Sequence, residues 1–316
     1  MTFSQKLFAS LRGAFAGFRS ARTEPPAAPA RDRSIPARLS LSGAMATDVG
    51  RVRRSNEDCV AFVAPDPGSP FAETGFLAIV ADGMGGHAAG ETASAIAVEV
   101  VRDEVYRSDR PAPLALAAAM EKANLAIRDH SRQHPETAGM GTTCTAILAR
   151  DDALFLAHVG DSRAYLLRDD TLHRLSEDQT LHEQMIRDGL MTREEAASRP
   201  GANFILQALG ARDEIDPVIF AEGLPLRPGD RLLLCSDGLH GLVDDAVIAS
   251  VIALADAREA CEKLIAAANE AGGQDNISVG VFHVEWRGAG LSPPPAGPAQ
   301  TKTMVAATPR PDPVDE

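Results

Sequence analysis

Residues 143–175 read TCTAILARDDALFLAHVGDSRAYLLRDDTLHRL. Apolar runs and alternating stretches are interrupted at Arg150-Asp151-Asp152 and Arg168-Asp169-Asp170, short polar clusters of the kind that turn a chain back on itself. The spacing predicts a strand meander with no helix inside it. Upstream, FLAIVADGMGG (residues 76–86) reads as a buried strand running into a glycine-rich turn. Residues 89–106 and 113–133 follow as two long Ala-rich helices. Downstream, Thr180 to Leu209 reads as polar and helical, broken by Gly189 and by Pro200-Gly201. RLLLCSDG (231–238) is another buried strand ending in an acid and a glycine. Helices near 244–254 and 256–271 come next, and ISVGVFHVEW (277–286) closes the segment as a strand. Strands arrive in runs rather than alternating with helices, so the expected class is α+β and not a doubly wound nucleotide-binding sheet. No internal repeat is evident, and neither a GxGxxG nor a GxxxxGK[ST] phosphate loop occurs.

The chain of 316 residues is 45% hydrophobic and 24% charged, enough apolar material for a core that needs no covalent staples. It contains no uninterrupted apolar run of about 18 residues, the span of a membrane helix; Ala246 to Ala255 is the best candidate and falls well short. Cys59, Cys144, Cys235 and Cys261 show no CxxC or CxH spacing, which argues against a disulfide framework or a zinc ribbon. They read as small buried hydrophobes in a reducing, cytoplasmic setting.

Net charge is -13, from 31 basic and 44 acidic residues, and it disfavours a nucleic-acid partner. The charge is unevenly spread. Residues 1–40 carry +5 and residues 288–316 carry -1, which leaves -17 on the segment between. Phe3, Leu7, Leu11, Phe15 and Phe18 fall at roughly helical spacing among Lys6, Arg12 and Arg19. This basic amphipathic arm suits peripheral contact with an anionic membrane or docking to a partner, and it lacks the continuous apolar stretch of a secretory signal. A Pro/Ala-rich linker (21–37) joins it to the core, and residues 288–316 read as a disordered tail.

The informative pattern is a set of aspartates in tight turns, several of them after an apolar strand: Asp82 in IVADGMGG, Asp161 in HVGDSRAY, Asp237 in LLLCSDGL and Asp275 in GGQDNISV. Glu57-Asp58 adds a further acidic pair before CVAFV. A single Asp-Gly is only a turn signal. Four such sites beside segments that must be inside imply carboxylates gathered at strand ends, where repulsion raises their pKa values unless cations intervene. Oxygen ligands without matched His or Cys spacing point to Mg2+ or Mn2+ rather than zinc. Two such ions suit hydrolysis of phosphate esters, and Arg51, Arg53 and Arg54 offer a cationic fork beside Glu57 and Asp58.

GRVRRSNED (50–58), ADGMGGHAAGETAS (81–94), GTTCTAIL (141–148), VGDSRAY (159–165), LLLCSDGL (232–239) and GGQDNIS (272–278) occur in one order along the chain. In that order and spacing they resemble the metal-dependent Ser/Thr protein phosphatase family (type 2C, PPM) in its bacterial form. The resemblance spans essentially the whole of 41–287. It implies an α+β fold, a four-layer α-β-β-α sandwich of two mainly antiparallel sheets flanked by helices, with two metals in a cleft at one edge. By the same resemblance Asp82 bridges both metals and the Gly83 carbonyl ligates the second, while Asp237 and Asp275 complete the first. Asp161 matches a ligand of a third, weaker ion, and Glu57 and Asp58 act near the metals, partly through water. Arg53 matches the arginine that binds the substrate phosphate, and Asn276 the residue that orients the neighbouring carboxylate.

The expected activity is hydrolysis of phosphoserine and phosphothreonine in proteins by a metal-activated bridging water, reversing a bacterial Ser/Thr kinase. The partners implied are that kinase and its phosphorylated substrates, and the expected state is a monomer. The alternative is a folded binding module that has lost turnover, which the filled ligand positions disfavour. There are departures from the family pattern. Met84 stands where many eukaryotic members have a histidine proposed as general acid; His87, three residues on, reads as a helix-start residue shaping the turn. Asp178-Gln179-Thr180 replaces the common Asp-His-Ser, which leaves the role of that turn open. His158 reads as structural, and 180–212 takes the place of the variable flap.

Overall fold

The structure, a computed structural model, describes residues 39–65, 74–85, 88–198 and 204–286. The amphipathic arm, its linker, the tail and His87 lie outside the described residues. Two sheets stack face to face, and among the described residues every strand pair is antiparallel. One sheet has its core in β2 (Asp58–Val63), β3 (Phe76–Met84), β5 (Cys144–Arg150) and β6 (Ala153–Val159). The short strands β4 (Gly141–Thr142), β9 (Val218–Ile219) and β10 (Leu224–Pro225) extend it. The other sheet runs in the order β1 (Leu39–Asp48), β12 (Ile277–Trp286), β11 (Arg231–Cys235), β7 (Arg163–Arg168) and β8 (Thr171–Arg174).

The central strands read as unbroken apolar runs because both of their faces are covered. In β3, Leu77, Ile79 and Ala81 face α1 (Ala88–Arg107) and α2 (Ala112–Gln133), where Ala93, Ala97, Val101, Leu116 and Met120 complete an outer core. The alternate residues Phe76, Ala78 and Val80 face the opposite sheet and meet Leu232, Leu234, Phe282 and Val284. Phe62, Phe76 and Phe282 pack there with ring centroids 4.6–5.3 Å apart. The far side of the second sheet, with Leu233, Cys235, Val279 and Val281, is covered by α6 (Asp245–Leu254) and α7 (Ala257–Glu270). Helix, sheet, sheet and helix make the four layers expected from the sequence. The helices at 88–107, 112–133, 245–254 and 257–270 agree with the expected spans to within a residue or two.

The meander turns tightly at the two Asp-Asp pairs. Asp151, Asp152, Asp169 and Asp170 all have φ between 51° and 59°, the left-handed pair of a two-residue hairpin whose twist matches its strands. A buried ion pair braces the second hairpin: Arg168 Nε donates to Asp230 Oδ1 at 2.7 Å, with side chains 4% and 2% exposed.

Three expectations are corrected. The core already includes Leu39 and Ser40, ahead of the expected boundary at residue 41, because β1 pairs along its whole length with β12, from Leu39 opposite Trp286 to Asp48 opposite Ile277. Thr180–Leu209 is not mainly helical. Its described residues hold two short helices, α3 (Leu181–Arg187) and α4 (Arg193–Ser198), and isolated bridges that pair Thr180 with Ile205 and Thr142 with Leu209. Asp82 lies within β3 rather than in the turn after it, and Asp58 opens β2 rather than preceding it, which makes the two direct neighbours across a ladder.

Candidate functional site

The acidic residues come from both sheets and meet at one edge of the sandwich. Asp58 opens β2 and stands opposite Asp82 near the end of β3. Asp161 sits in the turn between β6 and β7. Asp237 starts α5 (Asp237–His240) directly after β11, and Asp275 precedes β12. Strands of adjacent sheets end here together, so residues more than 200 positions apart, such as Arg53 and Asp275 at 222, become neighbours.

Hydrogen bonds seat the main chain of Asp82 and one or both carboxylate oxygens of Asp58 and Asp275. The Asp82 backbone N–H donates to Thr143 Oγ1 at 2.9 Å, and its carbonyl accepts from Thr142 Oγ1 and Thr143 N. Ser236 Oγ donates to Asp58 Oδ2 at 2.8 Å and accepts from the Ser278 N–H at 2.9 Å, which ties the two sheets together. The Asn276 N–H donates to Asp275 Oδ1 at 2.9 Å, and Arg53 Nη2 donates to Asp275 Oδ2 at 2.7 Å. Gly83 is needed for close approach: a Cβ there would lie 2.2 Å from the Gly90 carbonyl oxygen and 2.5 Å from that of Glu57. The Gly83 N–H donates to that Glu57 carbonyl, which holds Glu57 beside the aspartates.

Asn276 acts more widely than expected. Its main chain orients Asp275, while its side chain clamps the arginine loop. Asn276 Nδ2 donates to the Val49 and Ser55 carbonyls, and Oδ1 accepts from the Glu57 N–H at 2.8 Å. Of the three arginines, Arg53 reaches the acidic cluster; Arg51 and Arg54 are exposed.

The cluster is electrostatically strained. Burial raises the Asp58 carboxyl to about 7 and the Asp161 carboxyl to about 8, with Asp237 adding repulsion in both cases. Asp82 and Asp237 are also raised, by burial first and then by neighbouring aspartates. Asp58 Oδ1, Asp161 Oδ1 and Asp237 Oδ1 are buried with no protein donor. A buried carboxylate oxygen left unpaired is costly, and hard divalent cations bind such oxygens. The donor set therefore fits Mg2+ or Mn2+. Among the described residues no three acidic, His or Cys side chains converge into a ready-made coordination shell.

Some contacts here escaped the sequence reading. His240 Nε2 donates to the Asp161 carbonyl at 2.9 Å, and burial lowers its pKa to about 3, so it is a neutral tether. The Asp178-Gln179-Thr180 turn has a definite use. Asp178 pairs with Arg163 at 2.6 Å, Gln179 grips Gly160, and Thr180 caps α3. His158 is structural, as expected: it is fully buried, accepts from Thr145 Oγ1, donates through Nε2 to the Glu177 carbonyl, and is held down to about 4 by burial. Among the described residues no helix is long and apolar enough to cross a membrane.

Comparison with known proteins adds to this geometry. The protein phosphatase 2C profile matches residues 66–276. The serine/threonine protein phosphatase PstP of Mycobacterium tuberculosis is 39% identical over 249 residues, which are 78% of this chain and 45% of that protein. The present chain thus spans about half the length of that relative. The serine/threonine phosphatase stp of Listeria innocua is 34% identical over 239 residues, covering 74% of this chain and 92% of the relative. Among solved structures, the catalytic domain of PstP in complex with two manganese ions superposes with a TM-score of 0.67 at 37% identity, covering 78% of this chain and all of that one. With the sandwich, the acidic edge and these similarities together, the chain belongs to the protein phosphatase 2C family of serine/threonine protein phosphatases.

Proposed function

We propose that this chain removes phosphate from phosphoserine and phosphothreonine in proteins, with two divalent cations, Mn2+ or Mg2+, at the acidic edge. The observation that carries the reading is the set of buried carboxylate oxygens on Asp58, Asp161 and Asp237 that no protein group satisfies. Asp82, on the ladder that joins Asp58 to the rest, would be shared by both ions. The Gly83 carbonyl, Asp237 and Asp275 would complete their protein ligands, with Glu57 and Asp58 acting partly through water and Asp161 holding a third ion. When bound, such ions supply a nucleophilic water near neutral pH and neutralise charge on the phosphoryl group.

The chain's own residues do the rest. Arg53, half exposed at the rim and fixed by its bond to Asp275, presents the planar fork that suits two phosphate oxygens. Asn276 holds the loop that carries it. Thr142 and Thr143 hold the Asp82 main chain and so keep its carboxylate aimed at the edge. Met84 offers no proton to the leaving seryl oxygen, so protonation falls to solvent or to the substrate's surroundings. The phosphoproteins would be products of a Ser/Thr kinase, with the flanking segments deciding location rather than chemistry.

The test is hydrolysis of a phosphothreonine peptide and of p-nitrophenyl phosphate after EDTA treatment, with Mn2+ or Mg2+ added back. Loss and recovery of both activities support the reading. Turnover that survives EDTA, or that no divalent cation restores, defeats it.

A further inference from the structure

The turn that carries Asp161 crosses from β6 in one sheet to β7 in the other and is gripped from outside by a residue further along the chain. Gly160 has φ of +106°, and a Cβ there would sit 2.6 Å from Thr143 Cγ2, so the turn takes a conformation reserved for glycine. Glycine is also the residue with most freedom to leave it. Both main-chain polar groups of Gly160 are taken by one residue, Gln179. The Gly160 N–H donates to Gln179 Oε1 at 2.8 Å, and the Gln179 N–H donates to the Gly160 carbonyl at 2.8 Å.

The same glutamine reaches the other way. Its Nε2 donates to the Asp216 carbonyl at 3.2 Å, and its own carbonyl accepts from the Leu206 N–H at 2.7 Å. It therefore fastens the Asp161 turn to the chain returning from the 180–212 segment. One residue on, the Asp161 carbonyl is held by His240, and Ser162 Oγ lies 2.8 Å from Thr143 Oγ1. The main chain around Asp161 is thus tied down, while Asp161 Oδ1 has no protein partner and is buried. An amide suits this role because it accepts and donates at once, and in every protonation state of its neighbours.

We propose that Gln179 is a positioning residue for Asp161: by locking Gly160 it aims the Asp161 carboxylate, and so sets how tightly that position holds a divalent cation. The proposal rests on the functional reading above, in which Asp161 is a cation ligand. Outer contacts that orient a ligand are typically worth about 10–100-fold in metal affinity. The Gln179 grip acts one residue from the ligand, so the lower end of that range applies.

The experiment is Mn2+ binding by titration calorimetry on the full chain, in a double-mutant cycle of Gln179→Ala and Asp161→Ala. Gln179→Met, which keeps length and loses the amide, serves in place of the alanine variant if that one is poorly folded. Contacts that act through one group are non-additive, whereas independent structural damage adds. The expected result is an affinity about tenfold weaker at one class of site in Gln179→Ala, and no further loss when the same change is made in Asp161→Ala. Equal losses in both backgrounds, or wild-type binding by both Gln179 variants, would overturn the proposal. So would an unchanged titration in Asp161→Ala, which would leave the two-ion reading standing. A wild-type chain that takes up no Mn2+ would overturn both.

Discussion

The Arg53 guanidinium donates to the Asp275 carboxylate across 2.7 Å, although 222 residues separate the two in sequence. This bond stations the phosphate-binding candidate at the rim of the acidic edge, and the Asn276 clamp holds its loop. A charge-assisted bond to substrate is worth about 1.5–3 kcal/mol, less where one partner is half exposed. Arg53→Ala is therefore expected to raise KM for a phosphopeptide about tenfold, with a smaller loss in kcat. Lys should rescue poorly, because it lacks the planar fork. Steady-state kinetics decide it; unchanged KM and kcat would move the contact to Arg51 or Arg54.

Asp82 lies opposite Asp58 on the β2–β3 ladder, and the charges of Asp58 and Asp237 add to the burial that raises its carboxyl. Asp82→Ala and Asp237→Asn should each lower turnover of p-nitrophenyl phosphate by more than about 100-fold, since a direct ligand outweighs the second-sphere contacts that reach that figure. The fold should persist, and thermal unfolding of the metal-free variants should match or exceed wild type because a repulsive charge is gone. Near-normal turnover of Asp82→Ala at saturating Mn2+ would remove this residue from the site.

The metal-free protein should lose stability as pH rises. Asp58 and Asp161 are raised to about 7 and about 8 in the folded chain, against an unfolded carboxyl near 4. Between those values the folded state holds protons that the unfolded state has released, so stability falls with increasing pH. After EDTA treatment, Tm should drop between pH 5.5 and 8.5, by several degrees at about 2–4 °C per kcal/mol in a chain of this size. Added Mn2+ should restore more at the alkaline end. A flat or rising profile would mean that the carboxylates are solvated or otherwise paired.

Away from the site, Arg168 and Asp230 form a buried pair that also accepts the Arg227 N–H at Asp230 Oδ2. Breaking such a pair from one side strands a charge and costs about 3–5 kcal/mol. Asp230→Ala should unfold at correspondingly lower denaturant concentration, while the molecules still folded keep the wild-type Mn2+ dependence. A loss under about 1 kcal/mol would show that water reaches the guanidinium.

The segment 39–286 should fold and hydrolyse p-nitrophenyl phosphate without the flanking residues, since the first and last strands, β1 and β12, pair with each other from Leu39 opposite Trp286 to Asp48 opposite Ile277. Comparing its kcat with that of the full chain checks this. A loss of more than about tenfold, roughly 1.4 kcal/mol in barrier, would place part of the arm or tail in the catalytic fold.

Much of this molecule was legible in the chain itself, wherever the information is local. Strands covered on both faces must be apolar throughout, so FLAIVADGMGG and RLLLCSDG identify themselves. The Asp-Asp hairpins and the long helices follow from turn chemistry and periodicity over a few residues. The aspartates stood out because four of them abut segments that have to be inside. β1 stayed unread because LSLSGAMATD is half-buried along most of its length and makes sense only against β12. The partnerships at the site were equally hidden: Asp58 opposite Asp82, Ser236 joining Asp58, the Asn276 clamp, and His240 and Gln179 closing on the Asp161 turn. The Asp58–Asp82 pairing depends on strand register, where a shift of one residue would turn both side chains to the other face. The rest depend on loops and a helix end that packing brings to the same edge. The sequence by itself determined which residues carry the charge and which segments must be buried. Only the tertiary structure decided which carboxylates are forced together, because that is set by sheet register and packing rather than by any local pattern.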